Sequence, residues 1–288
     1  MNRITYVMVT MDRHYLKQAI AIFLSEDIAY GDLTSEAIFP PGQMGGAEFV
    51  AKGSFVAAGM EKVAGEVFKA VNPEIEVAAA VADGEVVASG DILLHLNGPV
   101  LDLLKAERVA LNLVQRLCAI ATLTGRFVEA VRPLPVRIVD TRKTTPGLRV
   151  LEKYAVRVGG GFNHRFSLAS GILIKDNHIA ACGSITTAVE RVRRSRPLSL
   201  KIEVETENLA QVEECLACGV DIIMLDNMDV TTMRRSVELV AGRAEVEASG
   251  GVNLENVRSI AETGVDIVSI GALTHSVQAC DISMRCID

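Results

Sequence analysis

The second half of the chain contains short apolar runs separated by amphipathic stretches. The runs are rich in Ile, Val and Leu and cover residues 136–141, 171–175, 200–205, 221–226, 245–249 and 267–271. Continuous apolar runs are typical of strands that are buried on both faces of a parallel sheet. From the third run onward they recur about every 20 residues, which is the spacing of βα units.

The stretches between the later runs have helical periodicity. Apolar residues lie at helical spacing in two sets: Met233, Val237 and Val240, then Leu254, Val257, Ile260 and Ala261. Helix C-caps are expected at Gly219, Gly242 and Gly264, and a helix N-cap at Asn253. Alternating strands and helices predict a (β/α) barrel or a doubly wound sheet. No Gly-rich dinucleotide turn follows the first strand, which favours the barrel.

The first hundred residues predict a mixed α+β domain. Short strands are expected over 47–51, 54–58, 74–81 and 92–96, a helix over 63–70, and a long helix over 101–131. The pattern divides the chain into a first domain of residues 1–115 and a barrel of residues 116–274. Residues 275–288 lack the barrel rhythm, and we expect them to pack back on the first domain.

Composition excludes several classes of protein. The 288 residues are 49% hydrophobic and 4% aromatic without Trp, so the core should be aliphatic. A net charge of −7 argues against nonspecific nucleic-acid binding, which depends on Lys and Arg. Residues 1–10 do not resemble a signal peptide, and no apolar stretch is long enough to span a membrane.

The six cysteines indicate reduced thiols and a cytoplasmic protein. Cys215 and Cys218 form a lone C-x-x-C. A redox pair or half of a metal site would need partners that the sequence does not offer. We therefore interpret these two cysteines as neighbours within one helix.

Basic residues concentrate between Arg137 and His178, a segment that contains eight Lys or Arg and three acidic residues. Arg142 and Lys143 follow one predicted strand and Lys175 ends the next, at the barrel edge where substrates bind. This position predicts an anion site, although charge runs are more often solvated faces. His164 belongs to the same segment, beside Arg165.

Acidic residues and glycines follow the later strands. Glu203, Glu205 and Asp226 lie at strand ends and suit hydroxyl groups or Mg²⁺. The sequences Ser249-Gly250-Gly251 and Ile270-Gly271-Ala272 follow the last two strands. Backbone N–H groups in such turns, with a helix beginning near Asn253, would bind a phosphate group.

These residues resemble the signature of the quinolinate phosphoribosyltransferase family, also called carboxylating nicotinate-nucleotide pyrophosphorylases. The similar motifs are Glu26-Asp27, Gly31-Asp32-Leu33-Thr34, Ala106-Glu107-Arg108, Leu111-Asn112, Thr141 to Gly147, Gly159 to Gly161, Asn163-His164-Arg165, Leu173 to His178, Lys201 to Glu205, Leu225-Asp226-Asn227 and Glu247 to Gly251. Their order and spacing agree from about residue 20 to the end, as expected of homologues rather than of chance motif matches.

The resemblance implies an N-terminal α/β sandwich domain and an open, incomplete (β/α) barrel. It implies an enzyme of NAD biosynthesis that converts quinolinate and phosphoribosyl pyrophosphate to nicotinate mononucleotide, pyrophosphate and CO₂, with Mg²⁺. It also implies a homodimer, or a hexamer built as a trimer of dimers.

The resemblance also assigns roles to residues. Quinolinate would be held by Thr141, Arg142, His164, Arg165 and Lys175, with Arg108 from the partner subunit. The catalytic residues would be Lys143, Glu205 and Asp226, which would also meet phosphoribosyl pyrophosphate. Mg²⁺ would be held by the substrate near Glu205 and Asp226. The 5′-phosphate would be bound by Ser249, Gly250, Gly251, Ile270, Gly271 and Ala272.

One position departs from the family pattern, and two alternatives remain open. Ser170 stands where the family usually has an acid, and we expect it to act behind the residues that contact substrate. A related protein of the molybdenum locus shares the fold but usually lacks the full Asn-His-Arg and Lys-Asp-Asn-His runs, both present here. A non-catalytic sensor of pyridine dicarboxylates would not need Glu205 and Asp226.

Overall fold

The computed structural model describes residues 11–195, 197 and 199–287. Residues 1–10, on which the prediction of no signal peptide rests, lie outside the described residues. Two compact units form. Unit 1 takes the described part of Met1–Gly125 with Thr145–Gly160 and Val277–Asp288, and unit 2 takes Arg126–Thr144 with Gly161–Ser276. The domain boundaries proposed after residues 115 and 274 stay a prediction.

Unit 1 is a mixed α and β structure. Its helices are α1 (Arg13–Ile28), α2 (Leu33–Ile38), α3 (Glu66–Val71), most of α4 (Val100–Ala130) and α5 (Arg149–Val158). Its strands are β1 (Met44–Ala51), β2 (Phe55–Val56), β3 (Glu76–Ala80), β4 (Val86–Val87), β5 (Ile92–Pro99) and β12 (Ile282–Ile287). The main sheet has the order β12-β1-β5-β3, with antiparallel neighbours.

The core of unit 1 lies between this sheet and α3. Phe49 of β1 meets Phe68 of α3 edge to face, with ring centroids 5.7 Å apart. Both side chains are fully buried, as are Leu94 and Leu96 on the neighbouring strand β5. Aromatic pairs in this geometry add to the stability that burial alone provides.

The predicted helix over 63–70 is longer than the apolar pattern suggested. It begins as a π-helical turn, Met60–Gly65, and continues as α3. The turn starts at Gly59, which has a left-handed φ of 81° and donates its N–H to the Asp83 carboxylate at 2.8 Å. Because that contact is made by a residue distant in the chain, local periodicity does not reveal it.

Unit 2 contains a six-stranded parallel sheet. Its strands are β6 (Arg137–Val139), β7 (Ile172–Ile174), β8 (Ile202–Thr206), β9 (Ile222–Asp226), β10 (Glu245–Ser249) and β11 (Ile267–Ser269). Its complete helices are α6 (Asp176–Cys182), α7 (Ile185–Ser195), α8 (Leu209–Cys218), α9 (Val230–Val240), α10 (Val257–Ala261) and α11 (Ala272–His275). All six strands match predicted runs.

The sheet does not close. Its order is β6-β11-β10-β9-β8-β7, so β6 and β7, which follow one another in the chain, lie at opposite edges. The predicted fold, an open (β/α) barrel with an N-terminal α/β domain, is confirmed by this open parallel sheet with its helices and by the mixed α and β structure of unit 1.

A short segment runs beside β6 at the open edge. Phe162 donates its N–H to the Ile138 carbonyl at 2.8 Å, and Asp140 donates its N–H to the Phe162 carbonyl at 3.1 Å. The buried Asp140 carboxylate then accepts from the Asn163 carboxamide at 2.6 Å and from the His164 N–H at 2.9 Å. These bonds fix the backbone at His164.

Three predicted helix ends were wrong by a few residues, and one of them is the C-cap of α10, which is Glu262 and not Gly264. Gly219 is the left-handed C-cap of α8, as predicted, but α9 is capped by Ala241 with φ 46°, one residue before Gly242. The helix expected to begin near Asn253 begins at Val257. Asn253 instead accepts the N–H groups of Glu255 and Asn256 within a turn.

Among the described residues, no helix is both long enough and apolar enough to cross a membrane.

We expect Ile282→Ala to lower the free energy of unfolding by about 2–4 kcal/mol, because the side chain is buried and a cavity would remain. Ile282 is 2% exposed on β12, whereas Ile92 on β5 is 45% exposed. Urea denaturation would measure both variants, and Ile92→Ala is the matched control with a smaller expected loss. Equal losses in the two variants would contradict the expected contribution of the buried Ile282 side chain to stability.

Candidate active site

Unit 2 has a cavity of about 640 Å³ at the carboxyl ends of its strands. The site residues predicted for this unit line it, except Glu203, which lies near the amino end of β8 and lines a second cavity there. From the predicted set these are Thr141, Arg142, Lys143, His164, Arg165, Lys175, Glu205, Asp226, Ser249, Gly250, Gly251, Ile270, Gly271 and Ala272. The carboxyl ends of barrel strands are where substrates bind in this class of fold.

The basic side of the cavity is built by Arg142, Arg165 and Lys175. Burial lowers the pKa of Arg165, and the nearby positive charge of Arg142 lowers it further. Arg165 donates from Nη1 to the Gly171 carbonyl at 3.1 Å, which fixes its direction. Crowded cations of this kind are stabilised by a bound anion.

Lys175 is positioned by the residues that follow it. It is the N-cap of α6, and its N–H donates to Nδ1 of His178 at 2.9 Å. Its ammonium group donates to Oε2 of Glu205 at 2.7 Å. His178 therefore serves the backbone of Lys175, and Lys175 links the basic and acidic sides.

His164 forms a buried cluster with two carboxylates. Its Nε2 lies 3.1 Å from Glu203 Oε2 and 3.5 Å from Glu247 Oε2. Its Nδ1 accepts the N–H of Arg165 at 2.8 Å. Both ring nitrogens therefore already have partners within the protein. A direct contact with a substrate carboxylate would require His164 to break one of these contacts.

The cluster retains a proton at neutral pH. Burial disfavours the charged imidazole, but the hydrogen bonds and charges of Glu203 and Glu247 outweigh it and raise the pKa of His164 to about 10. Burial also raises the pKa of Glu203. The retained proton belongs to the cluster of His164, Glu203 and Glu247 as a whole, and a doubly protonated ring would have to give up the Arg165 N–H at Nδ1.

Glu205 and Asp226 form the acidic side of the cavity. Glu205 is the residue before the last in β8, Asp226 is the last residue of β9, and Glu205 pairs in the sheet with Met224, two residues before Asp226. Their oxygen atoms are the donor type that Mg²⁺ prefers. The three-residue group among the described residues that could hold an ion is His164, Glu203 and Glu247, which does not include them.

Two glycine turns close the cavity. Gly250 and Gly251 have left-handed φ values of 92° and 61°, and Asn256 holds the Gly251 carbonyl at 3.0 Å. Because α10 has five residues and starts at Val257, no helix begins directly after this turn, contrary to the prediction. A backbone turn of this shape still offers N–H groups to an anion.

The second glycine turn, Ile270-Gly271-Ala272, lies against the side chain of Lys143. The Thr274 hydroxyl of α11 donates to the Lys143 carbonyl at 2.8 Å. A Cβ on Gly271 would lie 2.9 Å from Lys143 Cδ and 3.0 Å from His275 Nε2, so glycine permits the close approach of both side chains.

Arg108 does not line this cavity. It lies on α4 in unit 1, half exposed, beside a depression of about 290 Å³ that Glu26, Asp27 and Asn112 also line. Ser170 lies outside the main cavity as well. Its hydroxyl accepts the Ser167 N–H at 2.8 Å and lines a cavity at the amino ends of the strands.

Sequence reasoning missed several residues that line the cavity, namely Glu247, Asn227, Ser269 and His275. Glu247 had a usable signal, because it lies two residues before Ser249 on one strand and so shares its face. Asn227 had only its place in the Leu225-Asp226-Asn227 motif as a signal, because its contacts depend on a loop that is distant in the chain.

Two family models together match most of the chain. The model described as quinolinate phosphoribosyl transferase, C-terminal domain, matches residues 120–285, and the one described as its N-terminal domain matches residues 32–118. A probable carboxylating nicotinate-nucleotide pyrophosphorylase of Bacillus subtilis (strain 168) is 46% identical over 274 residues, covering 95% of this chain and 94% of that protein.

Two further proteins are similar to this chain over most of its length. The mitochondrial decarboxylating quinolinate phosphoribosyltransferase 2a of Nicotiana tabacum is 41% identical over 289 residues, covering 94% of this chain and 82% of that protein. The crystal structure of NadC from Streptococcus pyogenes superposes with a TM-score of 0.91 at 41% identity, covering 96% of this chain and 98% of that one.

The His164 cluster should make stability depend on pH above neutrality. An unfolded histidine releases its proton near its ordinary pKa of 6.5, whereas the folded cluster retains one to about 10. The folded state binds more protons in this window, so the free energy of unfolding should fall as pH rises through it. Glu203→Gln combined with Glu247→Gln should remove that fall in urea denaturation at several pH values.

Glu245→Gln is the matched control, because Glu245 precedes Glu247 on the same strand but binds Arg137 and Lys201. Lys201 and then Arg137 hold its pKa below the ordinary value despite partial burial, so its titration lies below this window. Parallel pH curves for the wild type and the double variant would show that the cluster does not retain the proton.

Proposed function

The chain belongs to the quinolinate phosphoribosyltransferase family, and from this premise we propose that it transfers the phosphoribosyl group of phosphoribosyl pyrophosphate to the ring nitrogen of quinolinate, with decarboxylation. The products are nicotinate mononucleotide, pyrophosphate and CO₂, in the de novo synthesis of NAD. The observation that carries the proposal is one cavity with a basic side, an acidic side and two glycine turns.

The basic side suits quinolinate, which carries two adjacent carboxylates. Arg142, Arg165 and Lys175 would bind them, because desolvating two negative charges requires several cations. Thr141 lies beside Arg142, and His164 would keep Arg165 in place through its backbone N–H. The pocket therefore recognises the acceptor by charge and orients its ring nitrogen.

The acidic side suits the sugar. When the bond from the anomeric carbon to pyrophosphate breaks, the leaving group takes the electron pair and positive charge develops on the ribose. Glu205 and Asp226 would stabilise that charge. The pyridine nitrogen then bonds to the anomeric carbon. When CO₂ departs, the quaternised ring stabilises the carbanion left on the adjacent ring carbon, and that carbon takes up a proton from solvent. Protein residues would contribute orientation more than proton transfer.

The phosphates would be bound by Lys143 and by the two turns. Ser249, Gly250 and Gly251 offer the first set of N–H groups, and Ile270, Gly271 and Ala272 the second. Mg²⁺ would be carried by the substrate, where it neutralises the pyrophosphate. Glu205 already pairs with Lys175, so Glu205 and Asp226 make a partial donor set that fits an ion held mainly by substrate oxygens and water.

We further propose a homodimer, alone or as one of three in a hexamer, in which Arg108 acts in the partner's cavity. Arg108 lies outside the cavity of unit 2. Unit 1 also exposes large apolar side chains near its start, with Tyr30 99% and Leu33 84% exposed. We propose that the partner subunit covers these side chains.

The cytoplasm is the compartment that we propose. All six cysteines are free thiols in the structure, the state that a reducing compartment maintains.

Purified protein mixed with quinolinate, phosphoribosyl pyrophosphate and Mg²⁺ should release nicotinate mononucleotide and CO₂, and nicotinate offered in parallel should not react. Binding of quinolinate without turnover, by a folded protein, would favour the sensor alternative. Turnover of nicotinate but not quinolinate would contradict the assigned acceptor, and Ser170 would be the first residue to replace.

Lys175→Ala should abolish quinolinate binding in calorimetry while phosphoribosyl pyrophosphate still binds. Lys201→Ala is the matched control, because Lys201 also pairs with a glutamate, at 2.6 Å, but at the amino end of β8. Unchanged quinolinate affinity in Lys175→Ala would refute the assignment of the basic side.

Mixing two inactive variants tests whether Arg108 of one subunit acts in the cavity of the other. If Arg108 acts in the partner's cavity, Arg108→Ala and Lys175→Ala subunits should recover about a quarter of wild-type activity after random reassociation, because half of the dimers then hold one intact site. Activity that stays at the level of the separate variants would place Arg108 in its own subunit's chemistry.

A further inference from the structure

Asn227 has an unusual backbone conformation at the edge of the cavity. It follows Asp226 at the end of β9 and has a φ of 53°. The left-handed region is disfavoured for residues with a Cβ, and asparagine tolerates it better than most. The chain leaves the sheet at this residue while its side chain still faces the cavity.

Asn227 contacts the ends of two adjacent strands, its own strand β9 and the neighbouring strand β10. Its N–H donates to the Ser249 carbonyl at 2.9 Å, which extends the pairing of Asp226 with Ser249 by one bond. Its side-chain Nδ2 donates to Oδ2 of Asp226 at 2.8 Å. One carboxylate oxygen of Asp226 is thereby held, and the direction of the carboxylate is set.

The same carboxamide supports the first glycine turn. A Cβ built on Gly250 would overlap the side chain of Asn227, so the Gly250 backbone packs directly against it. Gly250 also has a left-handed φ of 92°. Glycine is therefore required at position 250 for two reasons, namely the left-handed backbone and the closely packed Asn227 side chain.

We propose that Asn227 is a positioning residue that fixes the distance between the Asp226 carboxylate and the Ser249–Gly251 turn. The inference rests on the proposed function, in which these two elements bind opposite parts of one molecule, the ribose and the 5′-phosphate. A sugar held at both ends places its anomeric carbon by the separation of the two contacts. Misplacement of a reacting atom by about 1 Å can cost on the order of a hundredfold in rate.

Asn227→Gly is the direct test. Glycine accepts the backbone conformation, so the protein should fold, but both side-chain contacts are lost. We expect kcat to fall on the order of ten- to a hundredfold and KM for phosphoribosyl pyrophosphate to rise, with quinolinate affinity unchanged. Asn208→Gly is the matched control, because it removes an asparagine that caps α8 instead. A Tm shift with unchanged kcat would overturn the proposal.

A double-mutant cycle tests whether Asn227 acts through Asp226. In the Asp226→Asn background, Asn227→Gly should have little further effect on kcat, because the carboxylate that it orients is gone. Additive losses would mean that Asn227 acts independently of Asp226 and would contradict the proposal.

The contact with Gly250 has its own test, which needs no turnover. Gly250→Ala should lower the Tm through overlap with Asn227 and through backbone strain. Combining it with Asn227→Gly should recover part of that loss, since the overlap disappears. No recovery would overturn the inferred contact. A wild-type protein that makes no product would instead refute the proposed function and leave this stability result standing.

Discussion

Buried carboxylates on the inner face of the sheet are the constraint on which the site depends. Glu203 and Glu205 lie two residues apart on β8, and Glu247 lies on β10, all three buried. A carboxylate removed from water is strongly destabilising unless a cation or a proton compensates it. The protein compensates these three with His164, with Lys175 and with a retained proton.

The need to compensate these buried carboxylates makes the site depend on the open barrel. His164 reaches Glu203 and Glu247 from the segment that runs beside β6 at the unclosed edge, where the buried Asp140 fixes its backbone. Lys175 reaches Glu205 from the other edge strand, β7. The two sheet edges thus supply cations to the inner strands, and the interior stays polar enough to receive a charged substrate.

Other charged side chains of the cavity can also contact ligands. Arg142 is close enough to lower the pKa of Arg165, and an anion between the two guanidinium groups would relieve that repulsion. Asp226 is oriented by Asn227. Gly250 lies close to Asn227, and Gly271 lies close to Lys143, because glycine lacks a Cβ. Recognition of two carboxylates, a sugar and phosphates is thereby divided among separate parts of one cavity.

The sequence by itself determined the βα rhythm, the long helix, and the basic and acidic residues at strand ends, because strand and helix periods and strand polarity are local properties. It also determined the family, through motifs in order. Only the tertiary structure decided that the His164 ring is engaged on both sides, that Arg108 lies outside the cavity, and that Asn227 supports Gly250. The partners in these contacts are far apart in the chain, with 39 residues from His164 to Glu203, and no local pattern specifies which distant side chain will compensate a buried charge.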